Sequence, residues 1–254
     1  MFINVIKRMK IWCRVLWALF QTREGVQCNV LSAEETIEKI LKGKSLIRFG
    51  DGEFGIYQGK NIHYQKWTPD LKEQFIAIKG QYEKEGEHCP YLLAVPNKFL
   101  KINSKTLLKK RVWASSWAEA RLYFKRNFKT DIVYGDAFTF EKKNRELYEK
   151  VWSATQSHSN IFFIHNDEKY AQEFAKRYNK MVTFIQCPSK NAFQELQNIF
   201  VDCEEKLSKC NKDEQVQFVI SAGPAGKILA YYFANKGYQC IDTGHCWDEP
   251  LESE

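Results

Sequence analysis

The sequence predicts one doubly wound, mostly parallel α/β sheet preceded by an N-terminal amphipathic helix. Three observations carry this. Seven short apolar runs alternate with segments of helical period, the rhythm of βαβ units. Most of these runs are continuously apolar, as strands buried on both faces are. Polar, glycine-rich clusters follow six of them, at the carboxyl ends where open α/β sheets bind ligands.

The first element is residues 1–20, MFINVIKRMKIWCRVLWALF. Its longest stretch between charges is Val15 to Phe20, too short to span a bilayer. On a helical wheel Lys7, Lys10 and Arg14 share a face, and Val5, Met9, Trp12, Leu16 and Leu19 lie away from it. Trp12 and Trp17 suit a headgroup interface. Residues 1–22 therefore read as a helix lying on an anionic membrane surface, or as a terminal helix docked on the domain; the local charge favours the membrane. Residues 1–24 form this segment and 25–254 the main domain.

Ser32 followed by Glu35 is a capping-box pattern opening a helix through Leu41, with Gly43 as its stop. SLIRF (45–49) is the first strand. Thr68-Pro69 opens a helix to about Gly86, and YLLAV (91–95) follows. A helix bearing Trp113, Trp117 and Tyr123 leads to DIVYG (131–135). A helix over Glu146–Trp152 precedes IFFIH (161–165). Asp167 opens a helix before MVTFI (181–185), and Asn191–Leu207 has helical period. VQFVI (216–220), a helix from Ala225 and YQCID (238–242) complete the alternation.

Composition narrows the function classes. Of 254 residues, 44% are hydrophobic and 27% charged, which excludes a disordered chain and a multi-pass membrane protein. The net charge of +7 is uneven: residues 1–24 hold five basic residues against one acid. A nucleic-acid binder carries its basic excess on the folded body, so no nucleic-acid partner is expected. The eight cysteines form no CxxC and no ligand-spaced pair with histidine, which argues against structural zinc and for a reducing, cytoplasmic setting.

The chemistry sits in the polar clusters. Arg48-Phe49-Gly50-Asp51-Gly52-Glu53 places two carboxylates two residues apart between glycines. Asp51 and Glu53 can turn inward from a tight loop and hold a hard divalent cation, Mg²⁺ or Mn²⁺, or they can cap the next element as solvated turn acids. Arg48 can grip a phosphate. Ser221-Ala222-Gly223-Pro224-Ala225-Gly226-Lys227 follows a strand and opens a helix. It is neither a Walker loop nor a full dinucleotide fingerprint, yet a small-residue helix N-terminus cradles anions; a plain tight turn reads equally well. Asp242-Thr243-Gly244-His245 closes the last strand. Asp242 can hold a ribose hydroxyl, order His245 or act as a base, and His245 can ligate metal or move a proton. Lys190 and Asn191 offer a cation and an amide, or simple helix capping. Asp136 is a further candidate acid. Lys105–Arg111 reads as a solvated face.

RFGDGEF, PSKNAF and SAGPAGKILAYYFANKGYQCIDTGH, in that order, resemble the bacterial glycosyltransferases of the GT-D type, over roughly residues 32–247. The resemblance implies a Rossmann-like domain that binds a nucleotide-sugar, typically a UDP-sugar, with a divalent metal. It maps the family's DxE element onto Asp51 and Glu53, its glycine loop onto Ser221, Gly223 and Pro224, and its closing Asp-x-Gly-His onto Asp242, Gly244 and His245. The family pattern has an arginine after the Gly-Asp of the middle strand, where GDAFTFEKKN offers Lys142 or Lys143.

The expected catalytic set is Asp51, Glu53, Asp242 and His245, with metal ligands Asp51, Glu53 and His245. The expected donor contacts are Arg48, Gly50, Lys190, Asn191, Ser221, Gly223 and Pro224. The expected acceptor is a glycan, glycoprotein or lipid-linked sugar in bacterial surface polysaccharide or glycoprotein synthesis, with the protein peripheral on the inner face of the cell membrane. The competing readings are a metal-dependent phosphoesterase and a non-catalytic nucleotide-sugar-binding scaffold.

Overall fold

The computed structural model describes residues 2–153, 158, 160–210 and 215–247, with side chains for all of these except residues 2–8, 111 and 112. The predicted α/β sheet is present. Among the described residues it has eight strands: β1 (Asn29–Val30), β2 (Ser45–Arg48), β3 (Tyr91–Val95), β4 (Val133–Asp136), β5 (Asn160–His165), β6 (Met181–Gln186), β7 (Val216–Ile220) and β8 (Gln239–Asp242). Their order is β1-β4-β3-β2-β8-β7-β5-β6, and every pairing is parallel. β3, β5, β7 and β8 are buried at every residue, which explains their unbroken apolar runs. β1 is an edge strand of two residues, too short to show a period.

Helices Pro69–Glu85, Gly223–Asn235 and Leu196–Ser208 form one layer, and Ala33–Leu41, Lys150–Ser153 and Glu168–Tyr178 form the other. The helices that follow the neighbouring strands β7 and β5, Gly223–Asn235 and Glu168–Tyr178, lie in opposite layers, so the loops leaving those two strands diverge and open a crevice at the carboxyl rim.

Local signals act as read. Ser32 and Glu35 make both halves of a capping box, the Thr68 hydroxyl accepts from the Leu71 N–H, and the Asp167 carboxylate accepts from the Lys169 N–H. Other elements differ from expectation. The 146–152 segment is two short helices, Arg145–Tyr148 and Lys150–Ser153. Asn191 is left-handed (φ 56°), so the α-helix starts only at Leu196, after a 3₁₀ turn over Ala192–Glu195. The last long helix starts at Gly223, two residues before Ala225, with Pro224 in its first turn.

Helix Phe2–Gln21 docks on helix Arg111–Asn127 through Val15, Ala18 and Leu19, which are buried in the main core. Burying a Val or Leu side chain contributes about 1.5–3 kcal/mol. Arg121, fully buried, stitches the junction. It donates to the Thr22 carbonyl (3.0 Å), the Thr22 hydroxyl (2.6 Å), the Ser104 hydroxyl (2.6 Å) and the Ile102 carbonyl. Val5 and Lys7 lie among the residues whose side chains are not described. Within the described part, Leu19 is buried rather than membrane-facing, and Arg14 pairs with Glu119 (3.2 Å).

Candidate functional site

A cavity of about 840 Å³ opens at the carboxyl rim of the sheet. All six polar clusters contribute walls to it: Gly50–Glu53, Ala137 and Phe138, His165 and Asn166, Pro188 and Ser189, Ser221–Pro224, and Thr243–His245. The acidic segment after β2 and the small-residue turn after β7 therefore converge on one space.

The acidic segment is helical, not a loop. Helix Asp51–Tyr57 begins at Asp51, with Gly50 as its N-cap. Glu53 is its third residue, and its Oε2 accepts from the Gly50 N–H (2.7 Å). The capping and the functional readings thus meet in one side chain. Neither Gly50 nor Gly52 has positive φ. Asp51, two residues earlier, opens onto the cavity. The enclosing walls and then the Glu53 charge push its carboxyl pKa up.

Behind these acids lies a buried charge network. Lys227, 7% exposed, reaches from helix Gly223–Asn235 to Asp242 Oδ2 (3.0 Å) and Glu53 Oε1 (3.6 Å). Asp242, at the end of β8 and 2% exposed, also accepts from the backbone N–H groups of Arg48 (3.1 Å) and Gly244 (3.2 Å). The Arg48 Nε stands 3.8 Å from Asp242 Oδ1, and its Nη1 donates to the Ala137 carbonyl (2.8 Å). Burial alone would raise the Asp242 carboxyl, but Lys227 and then Arg48 outweigh it and hold the pKa below the usual carboxylate range. Both its oxygens are occupied. Asp242 thereby holds Arg48 and Lys227 in place at the cavity wall.

Two glycines make this packing possible. Gly244 has φ +57°, and a Cβ there would fall 1.5 Å from the Arg48 Nη2. Gly223 has φ +53°, and a Cβ there would meet the Tyr64 ring at 3.0 Å. Helix Gly223–Asn235 carries no side-chain cap, and its first residues, Gly223 and Pro224, line the cavity. The Ser221 hydroxyl is hydrogen-bonded to the Thr243 hydroxyl (2.9 Å), whose oxygen also accepts from the Trp247 indole (2.9 Å). His245 is exposed on the cavity wall, edge-on to Tyr64 at 5.8 Å.

The other predicted residues sit elsewhere. Lys190 is exposed and does not line the cavity. Asn191 clasps the 61–67 loop instead: its N–H donates to the Tyr64 carbonyl (2.7 Å), and its Oδ1 accepts from the Lys66 N–H (2.8 Å). Asp136 is outside the lining and receives the Phe138 N–H (3.1 Å), the bond of a turn acid. Sequence reasoning missed Lys227, Tyr64 and Arg145 as site residues. Arg145 lines the cavity with Lys142 and Lys143, supplying an arginine just past the segment where the resemblance leads one to expect it.

A divalent metal can be tested against this wall. Among the described residues no three His, Cys, Asp or Glu side chains form a ready metal centre, so Asp51, Glu53 and His245 do not make a complete set. No ion pair engages Asp51 among those residues, and three carboxylates (Asp51, Glu53, Asp242) face two cations (Arg48, Lys227). Across the cavity, Lys143 pairs with Glu141 (2.7 Å) and Arg145 with Glu149 (3.0 Å). A diphosphate entering here adds negative charge to an acidic wall. The donor set fits a hard cation held by Asp51, with Glu53 beside it and ligand oxygens completing the shell.

The chain matches the family model "Glycosyltransferase GT-D fold" over residues 46–250. It is 25% identical to "Glycosyltransferase GlyD" of Streptococcus pneumoniae over 236 residues, covering 85% of this chain and 26% of that protein. It is 24% identical to "Probable glycosyl transferase Gly" of Streptococcus gordonii, covering 87% of this chain and 32% of that protein. The chain thus spans about a quarter to a third of these relatives. Among solved structures, it superposes with a TM-score of 0.70 and 21% identity on one described as a domain with a distinct glycosyltransferase fold, covering 91% of this chain and 82% of that one. A new glycosyltransferase from Streptococcus sanguinis gives 0.68 and 22%, covering 87% and 82%.

Proposed function

Because the chain belongs to the family of glycosyltransferases with the GT-D fold, we propose that it moves a sugar from a nucleotide-sugar, a UDP-sugar, to a glycan, glycoprotein or lipid-linked acceptor in bacterial surface-glycan synthesis. The observation that carries this reading is Lys227. One buried ammonium joins Glu53 of the acidic helix to Asp242 beside the small-residue turn, so both motifs serve one cavity.

Transfer breaks the anomeric C–O bond as negative charge grows on the departing diphosphate. The inner wall supplies preorganised positive charge for it: Arg48 and Lys227, fixed by Asp242, and the uncapped helix N-terminus at Gly223. A divalent metal held by Asp51 and Glu53 would neutralise further charge at the diphosphate when bound. His245, exposed on the cavity wall, would take the acceptor proton. The free thiols fit a reducing, cytoplasmic setting. A peripheral position on the inner membrane face would bring lipid-linked acceptors within reach.

Purified protein assayed with UDP-sugars and Mn²⁺ tests the reading. Asp51→Asn is expected to lower turnover by roughly 10²–10³-fold with the fold retained, the scale of losing one charge-stabilising group. Undiminished turnover refutes the metal role of Asp51. Release of phosphate from simple monoesters without sugar transfer marks a phosphoesterase, and tight nucleotide binding without turnover for any acceptor marks a scaffold.

A further inference from the structure

We propose that helix Phe2–Gln21 and helix Ser104–Lys109 together form a docking surface for an anionic phospholipid membrane. This goes beyond the sugar-transfer reaction and does not depend on it.

Helix Phe2–Gln21 has two apolar faces. One, carrying Val15, Ala18 and Leu19, is spent on the domain core. The other carries Met9, Trp12, Leu16, Trp17 and Phe20, at the helical spacing of one stripe, and is turned outward. Phe20 is 64% exposed and Trp17 54%. A folded protein exposes single hydrophobes freely, but a contiguous aromatic stripe marks an interaction site.

The stripe continues onto a second element. Trp12 and Leu108 line an open groove of about 740 Å³, flanked by Lys105 and Lys109. Lys10 and Lys110 are exposed close by in sequence. The segment from Ser104 to Lys110 contains no acid. Arg14, the remaining cation of the first helix with a described side chain, is directed away to Glu119, which also binds Lys60. Tryptophan and phenylalanine over an apolar stripe with a lysine border match the headgroup region of an anionic bilayer. No described helix is long and apolar enough to cross a membrane, so the surface lies on the bilayer.

The two helices are held as one rigid platform. The Ser104 hydroxyl donates to the Leu19 carbonyl (2.7 Å), the Ser104 N–H donates to the Arg23 carbonyl (2.8 Å), and Arg121 binds both segments. Holding the two helices together beforehand lowers the ordering entropy lost on docking. The surface is therefore built from the lysine run that sequence alone reads as a solvated face.

The test is co-sedimentation of the full chain with vesicles of phosphatidylcholine alone and of phosphatidylcholine mixed with phosphatidylglycerol. Binding to the mixed vesicles, weakening as salt rises, is the expected result. Lys105→Gln/Lys109→Gln should weaken it roughly tenfold or more. Trp12→Ser/Trp17→Ser/Phe20→Ser should abolish it; these residues are exposed, and an unchanged circular dichroism spectrum confirms the fold. Equal binding to both vesicle types, no binding, or no effect of either variant overturns the proposal. So does a dimer in light scattering that the triple variant converts to monomer, because the stripe is then a self-association face.

Discussion

Two buried cations divide the molecule into a working half and a structural half. Lys227, at the cavity, is held by the carboxylates Asp242 and Glu53. Arg121, under the N-terminal helix, is held by carbonyls and hydroxyls of Thr22, Ile102 and Ser104. Burial lowers the Arg121 pKa to about 10, so it stays charged at neutral pH without a carboxylate. Neutral oxygens suffice where the guanidinium only pins segments together. Carboxylates hold the cation that lines the cavity, and they make that wall sensitive to any change in the balance. A structural cation can be replaced in kind; a functional one is tied to its acids.

The largest effect should follow from breaking that tie. Asp242→Asn keeps the shape but leaves Lys227 and Arg48 undercompensated, and a loss of about 3–5 kcal/mol in urea unfolding is expected. The double variant Asp242→Asn/Lys227→Met, which removes both charges, should recover much of that stability while remaining inactive, because replacing a whole buried pair is near neutral. The pH dependence has a definite sign. The folded Asp242 carboxyl titrates below its unfolded value, so its stabilisation is present above about pH 4 and is lost as pH falls below that. Asp242→Asn should flatten this acid limb. A single variant as stable as the parent would mean that the network is not a closed balance.

Arg121→Met should cost less, about 1–3 kcal/mol in all, because the Thr22 carbonyl still accepts from the Gly25 N–H and the Thr22 and Ser104 hydroxyls still donate to the Ala18 and Leu19 carbonyls, and the apolar replacement offsets part of the rest. Here activity per folded molecule should persist at low temperature, since Arg121 does not line the cavity. Thermal unfolding and turnover measured on the same sample separate the two halves. A fall in turnover without a fall in stability would break the comparison, because the junction would then act on the site.

The sheet was legible because burial on both faces forces continuous apolar runs, and the rim was legible because polar clusters recur after six of the seven runs. Ser32, Thr68 and Asp167 announce their helices through capping chemistry that is local. What escaped is non-local. Glu53 looks like half of a loop motif, yet it is the third residue of a helix, and that follows from Gly50 being free to serve as N-cap. Asn191 looks like a ligand amide, but its hydrogen bonds go to Tyr64 and Lys66. Tyr64 lines the cavity from the loop that this clasp helps to hold. Lys227 did carry a signal: it stands among small and apolar residues on a helix buried at every residue from Pro224 to Ala230, and a buried lysine demands an acid partner.

The smallest effect is the sharpest probe of the working half. Asp51 opposes Asp242: its folded pKa is raised, by its surroundings first and by Glu53 second, so its ionised form is penalised in the native state. Asp51→Asn should therefore stabilise the ligand-free protein slightly, by up to about 0.5 kcal/mol, the range of exposed substitutions. The gain should vanish as pH falls through the raised pKa, where the parent takes up the proton and the penalty disappears. Mn²⁺ with UDP should reverse the ranking, since a ligand that binds only the native parent raises its melting temperature by mass action. The same carboxylate would then cost stability when the cavity is empty and supply it when the cavity is filled. If Asp51→Asn lowers ligand-free stability, Asp51 has a structural partner and the division between the two halves fails at this residue.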